Sequence, residues 1–287
     1  MTNYIDLHTH SNASDGTCTP TEVVRLAAQK GLRAMALTDH DTVSGVEEAM
    51  NTASAFSLPI QVIPGTELSV AYKKQDIHIV GLFVDHRNKS FQDMTQLLIR
   101  RRLERNEEMI RRFNANGIPV TYEELTLGNP NAVITRAHFA RYLVEHQIVK
   151  IPNEAFKKYL DPGCPYFIPR EYIQPEDGIE IIRKAGGVPI LAHPLHYKLP
   201  QKELETLIAR LKDAGLMGIE VKYSNHTVQD EYYASQLASR FDLLPSGGSD
   251  FHGANKPAID IGTGRRTLAV PYEYLENLAA AVDYPLS

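Results

Sequence analysis

Two histidines spaced two residues apart are the first residues in this chain that could do chemistry. In Asp6-Leu7-His8-Thr9-His10-Ser11 they close a run that reads as a strand, and a side-chain period of two turns both rings to the same side. Imidazoles side by side at the end of a strand suit a d-block cation, because each offers one nitrogen lone pair and the open strand end leaves room for substrate. One such pair is weak evidence. The same kind of residue recurs, however, in Thr38-Asp39-His40-Asp41, Pro64-Gly65-Thr66-Glu67, Ile77-His78-Ile79, Ala192-His193-Pro194 and Gly248-Ser249-Asp250-Phe251-His252. Singly, each has an ordinary structural explanation: His78 a satisfied core histidine, Asp39 a helix cap, Asp250 a turn residue. Together, burying that many ionisable groups without cations would be prohibitively costly. Mixed imidazole and carboxylate donors favour Mn²⁺, Zn²⁺ or Fe²⁺ over Ca²⁺ or an all-oxygen Mg²⁺ site.

The elements that must position these residues alternate. Tyr4–His8, Ala34–Thr38, Ile60–Pro64, Ile77–Val84, Val188–Ala192, Gly218–Tyr223 and Leu243–Ser246 read as strands, and helices open at Thr19-Pro20, at Ser44 and at Gln174-Pro175. This order predicts an α/β fold with a parallel sheet. The rhythm breaks between about Phe91 and Pro169, which reads as a charged helix, a loop rich in Gly, Asn and Pro, and a second helix. The expected organisation is therefore a discontinuous main domain, 1–90 and 170–287, with a helical insertion at 91–169 over the site.

The 287 residues, 43% hydrophobic and 23% charged, exclude a miniprotein and wholesale disorder. A net charge of -5 argues against a surface that tracks long duplex nucleic acid, though not against a local basic pocket. Cys18 and Cys164 stand far apart in no metal-ligand spacing, so a reducing compartment is expected. The start has neither the basic nor the apolar region of an export signal, and no apolar run reaches the ~18 residues of a membrane span. These features predict a cytoplasmic protein with no obligatory protein partner.

The segments DLHTHS, SDG, TDHD, GTELS, IHIVG, AHP and SDFH, spread over essentially the whole chain, resemble the ordered motifs of the PHP (polymerase and histidinol phosphatase) superfamily of metal-dependent phosphoesterases. TRAHFARYL and AGGVPILAHP are most similar to its TrpH-type branch, which includes nucleoside 3′,5′-bisphosphate phosphatases and 5′→3′ exoribonucleases acting on short RNA. The resemblance implies a distorted (β/α)7 barrel with a helical lid and two to three divalent ions (Mn, Zn or Fe). By position, His8, His10, Glu67 and Asp250 would bind one ion; Glu67 would bridge to a second held with His78 and His193; Asp15, His40 and His252 would hold a third. Glu67, His193 and Asp250 are the expected catalytic members. Phosphate esters repel hydroxide, so the expected reaction is in-line attack by a hydroxide that the cations generate. His193 or His252 would protonate the leaving oxygen only if not ligating.

Substrate contacts are expected from the insertion. Arg136, opening the helix of Thr135-Arg136-Ala137-His138, would suit a second phosphate, with His138 as companion; the bland alternative is a solvated arginine. Arg105 lies in a run with Arg100, Arg101 and Arg102, interleaved with glutamates as on exposed helical faces. His226 follows the sixth strand, while Arg265 and Arg266 follow a glycine pair that makes no phosphate loop by itself. The expected substrate is small and phosphorylated, a nucleotide or short RNA. Histidinol-phosphate phosphatase, an amidohydrolase-like barrel enzyme and a non-catalytic metal-binding regulatory module remain as rivals.

Overall fold

A computed structural model describes residues 3–73, 75–126, 129–169, 171–265 and 267–286; Arg266 and the boundary residue Arg170 lie outside them. The strands are β1 (Tyr4–Thr9), β2 (Ala34–Leu37), β3 (Gln61–Tyr72), β4 (Gln75–Leu82), β5 (Val188–Leu191), β6 (Gly218–Tyr223), β7 (Leu244–Gly248) and β8 (Val270–Pro271). The helices are α1 (Pro20–Gln29), α2 (Val46–Ala55), α3 (Lys89–Ala115), α4 (Tyr122–Thr126), α5 (Arg136–Glu145), α6 (Pro152–Ala155), α7 (Pro175–Lys184), α8 (Gln201–Asp213), α9 (Val228–Arg240) and α10 (Tyr272–Ala280). No helix among the described residues is long and apolar enough to cross a membrane.

One sheet holds all eight strands in the order β7-β6-β5-β4-β3-β2-β1-β8. The β7 edge of the sheet turns back onto β1: Asp250 N donates to His8 O at 2.8 Å and His10 N to Phe251 O at 2.9 Å, which nearly closes a barrel at the rim where the parallel strands end. Apolar residues on the outer faces pack under the helices, with Leu68, Ile79 and Leu191 meeting α7 and α8 on one side and Met35, Leu37 and Val62 meeting α1 and α2 on the other.

The sheet is not wholly parallel, as the sequence order had suggested. β4 runs antiparallel to both β3 and β5, and β8 antiparallel to β1. The reason is local: β3 continues eight residues beyond Pro64, and only residues 73 and 74 separate it from β4. A connection that short makes a hairpin, whereas parallel strands need a crossover of a dozen residues or more. The reversal brings His78, in the first half of β4, opposite Ser69 of β3 and so beside Glu67, although its strand runs the other way. At α2 the cap is Gly45 and makes no side-chain bond, so Ser44 is not the helix opener expected; Thr19 does form a reciprocal capping box with Glu22.

Between β4 and α7 the described chain runs through α3 to α6 and a π-helical turn, Phe156–Leu160, with no strand. These elements have a core of their own, including Met109, Phe113, Leu125, Phe139, Tyr142 and Leu143. They touch the barrel rim through backbone as well as side chains, Val133 N donating to Ala13 O at 2.9 Å.

Barrel closure depends on Gly248. A Cβ there would lie 2.3 Å from His8 Cβ and 2.4 Å from His8 N, closer than any side chain can stand. Gly248→Ala should therefore push β7 from β1 and destabilise the fold by about 1–3 kcal/mol, read as a Tm lower by several degrees. An unchanged melting curve would show that the seam has slack.

Candidate metal centre

Glu67, at the middle of β3, is almost wholly buried and points into the barrel mouth. Its Oε1 lies 2.9 Å from His78 Nδ1 and 3.0 Å from His193 Nε2; its Oε2 lies 3.2 Å from His40 Nδ1 and 3.3 Å from both His8 Nε2 and His10 Nε2. Five imidazoles thus converge on one carboxylate. Asp250 Oδ1 stands 3.4 Å from His10 Nε2 and from His252 Nδ1, and Asp15 Oδ1 stands 3.1 Å from His252 Nε2. The structure therefore brings His8, His10, Asp15, His40, Glu67, His78, His193, Asp250 and His252 to one place.

The ligand atoms of seven of them group in three sets, His8, His10 and Glu67; His40, Glu67 and His78; and His10, Asp15, His40 and His252; His193 and Asp250 stand beside these sets and belong to none. His10 and His40 each fall in two sets, where the family pattern gave each to one ion. The residues fit cations on a direct test. His8 Nε2, both nitrogens of His10, His40 Nδ1, His193 Nδ1 and Asp15 Oδ1 are buried and find no hydrogen-bond partner among the described residues, and buried polar atoms seldom go unsatisfied in native proteins.

Two of the three carboxylates, Asp250 and Asp15, are held from outside the cluster. Tyr223 Oη and Lys256 Nζ bind Asp250 Oδ2 at 2.8 and 2.7 Å, leaving Oδ1 to face the histidines. Thr135 Oγ1 donates to Asp15 Oδ2 at 2.8 Å. The histidines are oriented too: Glu220 Oε1 takes His8 Nδ1 at 3.0 Å while Oε2 accepts the backbone N–H of His193 at 2.7 Å. His193 and Asp250 both hold left-handed backbone, φ 28° and 59°, an uncommon conformation for residues with a Cβ. Asp39 points away from the cluster and accepts from Ser11 and Ser14, tying down the turn after β1.

Charges follow this crowding. Burial raises the cost of ionising Glu67, Asp15 and Asp250, but facing histidines, and Lys256 at Asp250, hold all three well below the usual carboxylate range. Burial works against protonating His10, yet the Asp250 and Glu67 carboxylates beside its Nε2 lift it to about 9; His8 is likewise raised by Glu67 and Glu220. For His40, burial outweighs Glu67 and Asp15 and lowers it to about 3.

The expected substrate residues scatter. Arg136 opens α5 and lines a cavity of about 890 Å³ above the cluster, its guanidinium bound to Asp76 Oδ2 at 2.9 Å. Arg105 lines the same cavity and is buried at 6% exposure, as is Arg102 at 5%, so this stretch of α3 is not the solvated face its glutamates suggested. Arg102 grips Asp41, the residue after His40, at 2.6 Å. His138 is a cap: its Nδ1 accepts from Thr135 N at 3.0 Å, and burial lowers it to about 4. His226 bonds back to Val221 O at 2.8 Å and joins neither the cluster nor the lining of its cavities. Arg265 lines a second cavity of about 390 Å³ on the β6–β7 side.

Sequence reasoning missed Glu220, Tyr223, Lys256 and Arg102. For Arg102 and Arg105 the signal was present: buried Phe91, Thr95, Leu98, Met109 and Phe113 mark one stripe of α3, and both arginines fall on it. For Glu220, alternation with Ile219 and Val221 was visible, but only barrel closure turns its face inward.

Comparison with known proteins agrees with this geometry. The PHP domain family model matches residues 6–172, and the chain belongs to that family of hydrolases. It is 37% identical to a 3′,5′-nucleoside bisphosphate phosphatase of Chromobacterium violaceum, covering 90% of each chain. It is 38% identical to a 5′-3′ exoribonuclease of Haemophilus influenzae, covering 88% of this chain and 91% of that one. A Bifidobacterium adolescentis structure, provisionally described as a metal-dependent phosphoesterase, superposes with a TM-score of 0.83 at 27% identity over 96% of this chain and 95% of that one. The protein is thus a phosphoesterase of the metal-dependent kind.

Two outcomes follow. A ligating imidazole must be neutral, and His10 stays protonated up to about pH 9 in the metal-free chain, so loading with Mn²⁺ at pH 7.5 should release protons and affinity should rise with pH towards that value. Calorimetry in two buffers of different ionisation enthalpy measures this; proton-neutral binding would contradict the assignment. Glu220→Gln should weaken metal affinity about 10- to 100-fold with the fold intact, read by competition with a chelator.

Proposed function

We propose that this chain removes phosphate from a nucleoside 3′,5′-bisphosphate or from the end of a short 5′-phosphorylated RNA, with His8, His10, Asp15, His40, Glu67, His78, His193, Asp250 and His252 holding two to three divalent ions of Mn, Zn or Fe. The single observation that carries this reading is the Glu67 carboxylate ringed by imidazoles, several of whose buried nitrogens have no hydrogen-bond partner among the described residues, beside an arginine-lined cavity whose wall includes His40, His78 and His252. Divalent ions there would supply the two things phosphate-ester hydrolysis lacks in water, a nucleophile at neutral pH and neutralised phosphoryl oxygens.

The chain's own residues do the rest. Tyr223 and Lys256 hold Asp250, and Glu220 holds His8, so neither ligand must reorganise as charge develops. Arg105 and Arg136 face the cavity from two helices and suit a second anionic group on the substrate. That second anion is why a bisphosphate or a 5′-phosphorylated end fits better than histidinol phosphate, whose free end is an amine. We divide the chain accordingly, 1–90 and 170–287 building the centre and 91–169 covering it. The reading places the reaction in the cytoplasm, on a small diffusible substrate, without a protein partner.

A phosphate-release panel on Mn²⁺-loaded protein tests it, with adenosine 3′,5′-bisphosphate, short 5′-phosphorylated RNA and histidinol phosphate. The first two should be turned over and the third poorly; preference for histidinol phosphate, or no release at all, would overturn the proposal. Asp250→Asn should cut release at least about 100-fold with folding intact, which a non-catalytic module would not show. Arg136→Ala should raise KM for the bisphosphate about 10- to 100-fold, the worth of a charge-assisted bond, and leave metal content unchanged.

A further inference from the structure

The contacts between the helical segment and the barrel rim fall on a particular part of the centre. Asn129 Nδ2 donates to Asn12 O at 2.6 Å and Val133 N to Ala13 O at 2.9 Å, so residues 129–133 run alongside the turn that carries Asp15. Two residues on, Thr135 caps α5 and is 6% exposed. Its hydroxyl accepts from Ala137 N at 3.1 Å, which leaves its single proton for Asp15 Oδ2 at 2.8 Å. Its own N–H is taken by His138 Nδ1, so the rotamer is held from both sides. On the other flank Arg102 of α3 grips Asp41, next to His40. Asp15 and His40 are two of the residues grouped with His10 and His252 as one candidate cation set.

Asp15 Oδ1 is left buried, without a hydrogen bond and turned towards His252. A carboxylate with one oxygen fixed by a donor offers the other in a defined direction, which is how atoms outside the coordination sphere raise affinity. Among the described residues, neither Glu67 nor His78, which belong to the other sets, has a hydrogen-bond partner from α3 to α6. Building on the metal-centre reading above, we propose that Thr135 is a positioning residue for one cation alone, the one held by His10, Asp15, His40 and His252, so that this ion is retained only when the helical segment is docked on the rim.

The test is ion stoichiometry, with no turnover involved. Full-length protein stripped with a chelator is titrated with Mn²⁺ and its ion content measured after desalting. Wild type and Thr135→Ser, which keeps the hydroxyl, should load the same number of ions. Thr135→Val and Thr135→Gly should bind one fewer, or bind one about 10- to 100-fold more weakly, with the rest unchanged. The glycine variant keeps an acceptable helix cap, within a few tenths of a kcal/mol, and decides the matter should the valine variant fail to fold. Full loading of both variants at wild-type affinity, or an equal weakening of every ion, would overturn the proposal while sparing the metal-centre reading. A wild-type protein that binds no Mn²⁺ would instead sink that reading itself.

Discussion

Burying a carboxylate among imidazoles is the constraint on which the rest of this structure turns. Glu67 has about four lone-pair directions, and five ring nitrogens lie within 3.3 Å of its two oxygens. Such an arrangement is not self-satisfying. Protonating every ring would pack like charges together, and protonating none would leave donors and acceptors mismatched in a place water scarcely reaches. Cations resolve the conflict, and the surrounding chain is built as though they were present: Asp15 and Asp250 each have one oxygen secured by a donor from outside and the other turned inward, while both oxygens of Glu67 face the rings.

That construction spreads the cost of the centre over distant parts of the sequence. Tyr223 comes from the end of β6, Lys256 from beyond β7 and Thr135 from the start of α5. The left-handed backbone at His193 and Asp250 is sustained by similar means, with Glu220 taking one amide and the His8 carbonyl the other. The centre is therefore a property of the closed barrel together with the helices on its rim.

Much of this was legible in the chain. Seven strands could be read from local pattern because each is a short β-rich run between turn residues, and the recurrence of histidine and carboxylate at their ends pointed to one mouth. β8, two residues long, gave no periodicity to find. β3 was cut short because Pro64 reads as a terminator, yet it sits in the strand paired with Leu37. The supporting residues were least visible. Glu220 and Arg102 look like solvent-facing charges in a one-dimensional pattern, and only tertiary closure puts them in the interior. His226 shows the converse: the right address at a strand end, and a ring turned back on its own loop.

The hairpin of β3 and β4 has one more effect, on distance. Because β4 starts at the mouth, it delivers the chain to the opposite pole of the barrel, from which α3 must climb back along the outside. At 1.5 Å per residue, the thirteen steps from Lys89 to Arg102 span about 20 Å, and at their end Arg102 meets Asp41 on the rim. α3 is thus a strut of fixed length, and its phase matters as much as its reach. One residue inserted below Arg102 would rotate both buried arginines by about 100° and swing them off the cavity, whereas a whole number of turns would only lift them. Lineages that vary the height of this barrel would have to lengthen the strut in the same quantum.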